Sequence, residues 1–416
     1  RLYMRGITAG GLKYRHMRPI KVALVGVGGY GRKYAEQLLM EGGRHNVELI
    51  GVIDPFAYRS ELYQTLLNCK VPIFESLGQF YSSCFADLVV ISTPIHLHCE
   101  QTCEALLHGS HVLCEKPAAP TIHEVKSMIK ARDESHRIVA VGFQWCHDEA
   151  VQRLKRDFLA GRFGKAEKFK ALVLWPRDTA YYKRSTWAGR IKVDGKWVFD
   201  SVASNATAHF LHFMMFLLGP SVLDSASPET VQAELYRAND IENFDTCAMK
   251  IRTMNTEILF LASHAVRNKI GPVFELHFEN ARLYFNHGDF PESTSCFLAV
   301  FKDGSRDLYG PVDHASMKKL WDVVDIIRGE EKVYCTLESA LSLTRVINCA
   351  HLSSEIHDLP VKLKRSDGEP PLVWIEGLDE VLKECFRLEK LPSELRLPWA
   401  VKPKEISSDR CEVFAP

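Results

Sequence analysis

Short apolar runs alternate with amphipathic stretches through the first part of the chain. Ile20 to Val25, Val47 to Ile53 and Ala86 to Ser92 are continuous apolar runs, as in strands buried on both faces. Between the first two runs, Arg32 to Met40 has helical periodicity and stops near Gly42-Gly43. This order of strand, helix and strand predicts a parallel sheet with helices on its faces.

The same alternation continues to about residue 143. Leu97 to Leu107 reads as a helix, and Val112 to Cys114 as a short strand. Thr121 with Glu124 three residues later predicts a capped helix start, and Ile138 to Val141 predicts a further strand. We therefore expect the parallel sheet to end close to this point.

The pattern then changes to alternating polar and apolar positions. A helix is expected from about Asp148 to Leu159, followed by an alternating run from Lys165 to Trp175. From Val231 to Phe301 there are four or five alternating runs without helices between them, and a helix follows at about Leu337 to Ile356. This part predicts a largely antiparallel sheet.

Composition excludes some classes of partner. Among 416 residues, Lys plus Arg and Asp plus Glu both number 52, so no overall charge favours nucleic acid or an anionic membrane. Uninterrupted apolar stretches are shorter than the roughly 18 residues that a membrane helix needs, so we expect a soluble, cytoplasmic protein. The twelve cysteines lack a CxxC pair, which favours reduced thiols over disulfides.

A glycine turn follows the first strand and indicates a dinucleotide site. Gly26, Gly28 and Gly31 would turn the chain, admit a pyrophosphate and allow a helix to pack closely. Asp54, at the end of the second strand, would bond the ribose hydroxyls and favour NAD, although Arg59 keeps NADP open. The alternative is an ordinary tight turn, because a glycine triplet alone is a weak signal.

These patterns together predict α/β plus α+β architecture in two domains. The expected ranges are a flexible extension or cloning remnant at 1–16, a Rossmann NAD-binding domain at 17–145, an antiparallel-sheet substrate and oligomerisation domain at 146–361, and a C-terminal tail at 362–416. The tail contains a short helical stretch near Leu378 to Phe386.

Lys116 is the first candidate for proton transfer. Glu115, Lys116 and Pro117 follow a predicted strand, and ligands of open parallel sheets settle at the carboxyl ends of the strands. An ordinary lysine has a pKa of about 10.4, so it serves as a base only when burial or nearby positive charge lowers that value. The alternative is a structural salt bridge between Glu115 and Lys116.

A polar stripe in an apolar segment is the second candidate. If residues 205–219 are helical, Asn205, His209 and His212 fall at positions i, i+4 and i+7. One alternative is a satisfied hydrogen-bond network in the core. We expect no metal, since no cysteine or acidic residue on the stripe completes a ligand set.

Aromatic and arginine side chains cluster before this segment. Aromatic faces stack on sugar rings, and guanidinium groups bond hydroxyls or carboxylates. A subunit interface has similar composition and is the alternative. The candidate substrate contacts outside the polar stripe are Trp145, Trp175, Arg177, Tyr182, Arg184, Trp187 and Arg190.

From Ile20 to Ile356 the chain resembles the Gfo/Idh/MocA oxidoreductases. The resemblance rests on the glycine turn, Asp54, Thr93-Pro94 with His98, Glu115-Lys116-Pro117, and the His209 segment ending at Gly219. It implies a Rossmann domain followed by an open, mainly antiparallel sheet that often forms oligomers, here a homodimer or homotetramer. The implied cofactor contacts are Gly26, Gly28, Gly29, Tyr30, Gly31, Asp54, Thr93, Pro94, His98, Glu115 and Lys116.

The resemblance also implies catalytic roles for Lys116, Asn205 and His209. This chain departs from the family where an acid is usual: position 205 is asparagine and position 212 is histidine. Trp145 and Cys146 replace the usual arginines. An amide bonds a hydroxyl but does not accept its proton at neutral pH, so the acid-base work shifts to His209 or Lys116.

The expected activity is hydride transfer between NAD(P) and a secondary alcohol of a sugar, sugar acid or cyclitol, bound between the domains. Two alternatives stay open. One is a redox-neutral, NAD-dependent cycle that cleaves a glycoside. The other is a catalytically silent sensor of NAD or a sugar, which is suggested by the absence of an acidic residue at position 205.

Overall fold

Two main sheets and two hairpins account for the strands of this computed structural model, which describes residues 17–313 and 317–414. The strands are β1 Ile20–Val25, β2 Val47–Ile53, β3 Ile73–Phe74, β4 Leu88–Ile91, β5 His111–Cys114, β6 Val139–Val141, β7 Ala166–Leu174, β8 Lys192–Val193, β9 Lys196–Trp197, β10 Thr230–Arg237, β11 Thr246–Arg252, β12 Glu257–Ser263, β13 Ile270–Phe278, β14 Ala281–Phe285, β15 Phe297–Phe301, β16 Arg306–Tyr309, β17 Ile356–Asp358, β18 Lys364–Asp367, β19 Leu372–Ile375 and β20 Ile406–Ser407.

The described residues also form α-helices of very different length. They are α1 Gly31–Glu41, α2 Tyr63–Asn68, α3 Leu77–Tyr81, α4 His98–Leu107, α5 Ile122–Ser135, α6 Glu149–Leu159, α7 Thr179–Lys183, α8 Ala208–Leu217, α9 Lys318–Ile327, α10 Leu337–Ser353 and α11 Leu378–Leu388. The expected extension at 1–16 lies outside the described residues.

The first sheet is parallel throughout and has the order β3-β2-β1-β4-β5-β6. This confirms the predicted Rossmann architecture. The capping pair at the start of α5 is also confirmed: the Thr121 backbone N–H donates to Glu124 Oε2 at 3.1 Å, and the Glu124 N–H donates to Thr121 Oγ1 at 3.2 Å.

The chain forms two compact units, each drawn from several stretches. The first takes in the described parts of 1–115, 126–142 and 315–334, and the second those of 116–125, 143–314 and 335–416. This division differs from the predicted contiguous domains at 17–145 and 146–361. Helix α9 lies within the second predicted range but belongs to the first unit. Its residues Leu320, Val323 and Val324 pack into the same apolar core as β1 and α1.

The second sheet has the order β16-β15-β14-β13-β7-β12-β11-β10-β17, with β20 beside β10. Its pairs are antiparallel except β7 with β12 and β10 with β17, which confirms the expected mainly antiparallel domain. Helix α10 packs against β10 and α8, on one side of the sheet.

The C-terminal tail covers apolar positions of this sheet. Leu378, Leu382 and Phe386 of α11 share a buried cluster with Leu172 of β7 and Leu261 of β12. The tail thus buries a face of its own sheet. A homodimer or homotetramer through this sheet stays a prediction, and such an interface would have to use other parts of it.

The structure corrects the expectation that all cysteines are reduced thiols. Cys349 of α10 and Cys411 of the tail form a disulfide, 62 residues apart in sequence. Only the folded tail brings these two positions together. Within 17–313 and 317–414, the helices are all too short or too polar to cross a bilayer.

Candidate functional site

The glycine turn after β1 is built as a dinucleotide site requires. Gly26 has φ +84°, and a Cβ there would lie 2.6 Å from the Ser92 carbonyl oxygen. A Cβ at Gly31 would lie 2.0 Å from the Gly26 carbonyl oxygen, so only glycine lets α1 start this close to the turn. Gly28 and Gly29 are exposed and have open space where a Cβ would stand.

Asp54 follows β2 and braces this turn. Its Oδ2 accepts the Val27 backbone N–H at 3.0 Å, and its Oδ1 accepts the Phe56 N–H at 2.8 Å. Each carboxylate oxygen has further acceptor capacity, which suits a pair of ribose hydroxyls. The bare turn and the carboxylate therefore fit a dinucleotide. The exposed Arg59 guanidinium lies 4.6 Å from the centre of the Phe56 ring. The preference for NAD over NADP stays a prediction.

The loop after β4 carries the next predicted cofactor contacts. His98 is buried, and its Nε2 lies 2.9 Å from the Thr93 carbonyl oxygen. Pro94 immediately precedes the 3₁₀ turn Ile95–Leu97. Thr93 and Pro94 are half-buried. The structure thus places His98 beneath this loop, where it fixes the backbone of Thr93.

Glu115 lies at the end of β5 in a buried ion pair. Lys319 Nζ donates to Glu115 Oε1 and, at 3.2 Å, to the Gly142 carbonyl oxygen. The Tyr34 hydroxyl donates to the same Glu115 oxygen at 2.7 Å, and burial together with Glu115 raises the pKa of Tyr34 well above its ordinary value. Lys319 also lies 4.7 Å from the ring centre of Tyr30, which is half-buried. Glu115 therefore has a structural partner other than Lys116.

Lys116, one residue further, directs its amine to Asn205. Lys116 Nζ donates to the Asn205 backbone oxygen at 2.7 Å and to Asn205 Oδ1 at 3.1 Å. Asn205 Nδ2 in turn donates to Asp200 Oδ1 at 2.6 Å. The structure therefore brings together two predicted residues, 89 positions apart, and adds a carboxylate behind them.

Asp200 is a residue that the sequence analysis missed. It is buried, and its Oδ2 accepts the Gly189 N–H at 2.7 Å and lies 3.8 Å from Arg184 Nη2. Burial raises the pKa of Asp200, while Arg184, the hydrogen bonds and the charge of Lys116 oppose that rise. The available signal was a lone carboxylate after the apolar Trp197-Val198-Phe199.

Asp200 also explains the asparagine at position 205. A carboxylate there would face Asp200 at hydrogen-bond distance, and two like charges so close do not both ionise. The amide instead accepts from Lys116 with its oxygen and donates to Asp200 with its nitrogen. The nearest carboxylate to this amide is therefore contributed by a buried residue five positions earlier.

Tyr181 is the centre of the aromatic and arginine segment. The Arg184 guanidinium lies 3.7 Å from the Tyr181 ring centre and 5.3 Å from that of Trp187, and Arg177 lies 5.0 Å from Tyr181. The neighbouring Tyr182 ring meets Tyr181 edge to face at 5.2 Å. Three predicted substrate contacts, Arg177, Tyr182 and Arg184, therefore lie around one ring, and a fourth, Trp187, lies against Arg184.

Three polar atoms around Tyr181 are buried without a hydrogen-bond partner among the described residues: Arg177 Nε, the Tyr182 hydroxyl and His264 Nε2. The His264 ring lies 5.6 Å from Tyr181, and burial lowers the pKa of His264 to about 3. Buried polar groups without partners are costly, and a polar ligand would satisfy them. His264 was also missed, because a single histidine after a strand carries no pattern.

Two predicted members lie at the edge of this cluster. Trp175 Nε1 donates to the Gly271 carbonyl oxygen at 2.9 Å, and its ring lies 5.8 Å from Arg177. Arg190 is exposed and pairs with Glu242. Trp175 therefore supports the Tyr181 cluster, whereas the structure gives Arg190 a different partner.

The helix of the polar stripe begins later than expected. α8 starts at Ala208, so Asn205 lies in the turn before the helix, where its side chain is free of helical geometry. His209 is half-buried, and its ring meets Phe143 edge to face at 5.8 Å. His212 is buried, and its ring stacks on the Phe143 ring with the ring centres 3.9 Å apart.

The structure places His212 and Trp145 inside the second unit instead of on a surface open to substrate. His212 Nε2 lies 3.2 Å from Ser339 Oγ. Trp145 is only 2% exposed and packs against Phe210, Phe213 and several strand residues. The sequence does not show whether a tryptophan or histidine side chain faces a ligand or the protein core. Only the packing of the folded chain distinguishes these two environments.

Comparison with known proteins supports the NAD-binding fold of the first sheet. Residues 20–143 match the family model GFO_IDH_MocA, described as the oxidoreductase family with an NAD-binding Rossmann fold. The levoglucosan dehydrogenase of Pseudarthrobacter phenanthrenivorans is 25% identical over 271 residues, which cover 59% of this chain and 68% of that protein. The 1,5-anhydro-D-fructose reductase of Ensifer adhaerens is 38% identical over 133 residues, 31% of this chain and 39% of that protein.

Solved structures share the fold over most of the chain. The WlbA dehydrogenase from Bordetella pertussis, in complex with NADH and UDP-GlcNAcA, superposes with a TM-score of 0.65 at 21% identity. The match covers 80% of this chain and 96% of that structure. The likeness thus includes both sheets and extends beyond the NAD-binding segment.

Proposed function

Because this chain is a member of the Gfo/Idh/MocA oxidoreductases, with residues 20–143 as the NAD-binding fold, we propose that it oxidises a secondary alcohol of a sugar, sugar acid or cyclitol. The reverse reduction uses the same groups. One observation carries this proposal: the Lys116 amine donates to the Asn205 amide, and the same amide donates to the buried Asp200 carboxylate.

The chain's own residues handle the proton of the reacting hydroxyl. Lys116 in its neutral form, or His209, accepts this proton, and the Asn205 amide orients the oxygen. Asp200 fixes the Asn205 amide and balances the charge of Lys116 when the amine is protonated. NAD, when bound, supplies the acceptor for the hydride.

The Tyr181 cluster suits a polyhydroxylated substrate. Arg177 and Arg184 offer guanidinium donors for hydroxyls or a carboxylate, and the aromatic rings offer faces for stacking. The buried Tyr182 hydroxyl and His264 Nε2 would gain partners from such a ligand. The two relatives described above are named as a levoglucosan dehydrogenase and a 1,5-anhydro-D-fructose reductase, which supports a carbohydrate-like substrate class.

The test is an NADH absorbance screen over sugars, sugar acids, polyols and glycosides, with NAD and NADP in parallel. On the identified substrate, Lys116→Ala is expected to lower turnover on the order of one hundredfold and to leave nucleotide binding near normal. Lys130→Ala, at an exposed lysine on α5, is the matched control and should retain turnover. Unchanged turnover in Lys116→Ala would remove Lys116 from the mechanism.

Other outcomes of the screen separate the remaining hypotheses. Glycoside cleavage by protein with tightly held nucleotide, without net NADH, would favour the redox-neutral cycle. Nucleotide binding without turnover across the whole panel would favour a sensor.

A further inference from the structure

Three potential metal ligands meet inside the second unit. Cys146 lies in the 3₁₀ turn Gln144–His147, His212 lies on α8, and Cys335 lies two residues before α10. All three are almost fully buried, at 1%, 1% and 0% exposure. Their two sulfur atoms and one imidazole nitrogen lie within 4.8 Å of one another.

The spacing of these atoms suits a tetrahedral cation. With Zn–S near 2.3 Å and Zn–N near 2.0 Å, a tetrahedral zinc holds its sulfur and nitrogen ligands about 3.5 Å apart. Cys335 Sγ lies 3.6 Å from His212 Nε2. Small side-chain rotations would therefore let one ion contact all three atoms.

The surroundings hold the imidazole in a suitable orientation. His212 stacks on Phe143 with ring centres 3.9 Å apart, which fixes the plane of its ring and directs Nε2 toward the sulfurs. Ser339 Oγ lies 3.2 Å from Nε2 and offers an oxygen as a fourth ligand. Ser339 is itself fixed, because its N–H donates to the N-cap Thr336 at 3.0 Å.

We propose that Cys146, His212 and Cys335 bind one Zn²⁺, with the Ser339 hydroxyl or a water as the fourth ligand. Two thiolates and an imidazole select zinc over magnesium or calcium, which prefer oxygen ligands. Zinc displaces the thiol protons, so the site joins three distant segments by coordinate bonds. The inference is independent of the proposed reaction, because that mechanism uses none of the three ligands.

This proposal departs from the expectation of no metal. That expectation considered only ligands along the helix that carries His212, where no cysteine lies on the polar stripe. The two cysteines come from segments 66 residues before and 123 residues after His212, and only the fold brings them together.

The test measures zinc in tag-free protein after dialysis against a weak chelator. About one zinc per chain is expected in the wild-type protein and in Cys247→Ser, a matched control at another fully buried cysteine. Cys335→Ser and His212→Gln are expected to lose more than nine-tenths of this zinc. Absence of stoichiometric zinc from the wild-type protein, or full retention in Cys335→Ser, would overturn the proposal.

Cobalt substitution keeps the proposal testable if the variants do not fold. Wild-type protein reconstituted with Co²⁺ should show thiolate-to-cobalt charge-transfer absorption and the intense visible bands of tetrahedral cobalt. Octahedral, weakly absorbing cobalt would contradict the site. A Cys146–Cys335 disulfide in peptide maps of freshly isolated protein would also overturn the proposal, since the pair would then be a redox centre.

Discussion

Replacing Asp200 by asparagine removes a negative charge behind Lys116 and Asn205 with almost no change in side-chain volume. Asp200 accepts one hydrogen bond from Gly189 and one from Asn205. An amide has one acceptor oxygen and one donor nitrogen, so one of these two donors would face another donor. Asp200→Asn therefore disturbs both the electrostatics and the hydrogen bonding of this chain of residues.

The structure sets the size of both effects. A hydrogen bond to a charged group contributes about 1.5–3 kcal/mol, so we expect the free energy of unfolding to fall by about that amount. One bridging amide separates the Lys116 amine from Asp200, a span of roughly 6 Å. At an effective dielectric constant of about 20, the two charges interact by about 3 kcal/mol before the opposing interaction of Asp200 with Arg184 is counted.

The sign follows from the proton equilibrium of the amine. The Asp200 charge stabilises the protonated form of Lys116, and oxidation of an alcohol requires the neutral form. In Asp200→Asn the amine loses its proton more easily. The acidic limb of kcat/KM for NADH formation is therefore expected to move to lower pH.

The assay is a pH profile of kcat/KM with an unfolding curve of the same preparation. Glu234→Gln is the matched control, since Glu234 is a buried carboxylate that accepts the Ser393 N–H at 3.0 Å. It should lower stability and leave the pH profile unchanged. A profile that does not move in Asp200→Asn would refute the electrostatic link to Lys116.

Three further predictions concern stability and assembly. Lys319→Met leaves the buried Glu115 charge without its cation, so the free energy of unfolding should fall by about 3–5 kcal/mol in denaturant titration, and an unchanged value would contradict the ion pair. Burial lowers the pKa of His351 to about 3, whereas the unfolded residue binds a proton near pH 6.5. Between pH 7 and 5 the free energy of unfolding of the wild type should therefore fall by about 2 kcal/mol relative to that of His351→Leu. Parallel curves of unfolding free energy against pH for the two proteins would contradict this prediction. Deletion of 362–416 exposes the apolar face around Leu172 and should cause self-association in light scattering; a monodisperse monomer would show that the tail is not needed to cover the sheet.

The nucleotide-binding half was predictable because its signals are local. The apolar run Ile20 to Val25, the glycines that follow it and Asp54 at the end of the next strand occur in β1, its turn and β2 as expected. Each signal depends on residues within one strand-helix-strand unit, where periodicity and turn chemistry already restrict the backbone. Lys116 and Asn205 were both candidates, although their contact was not predictable.

The remainder of the site depends on residues that are far apart in sequence. The sequence by itself determined the order of elements, the glycine turn and the lysine after β5, since these follow from spacing between neighbours. Only the tertiary structure decided that Asp200 stands behind Asn205, that Trp145 and His212 are buried, and that the tail covers its own sheet. The physical reason is that burial, ion pairing and thiol clustering are set by which distant surfaces pack together, and hydrophobic periodicity specifies a buried face without naming its partner.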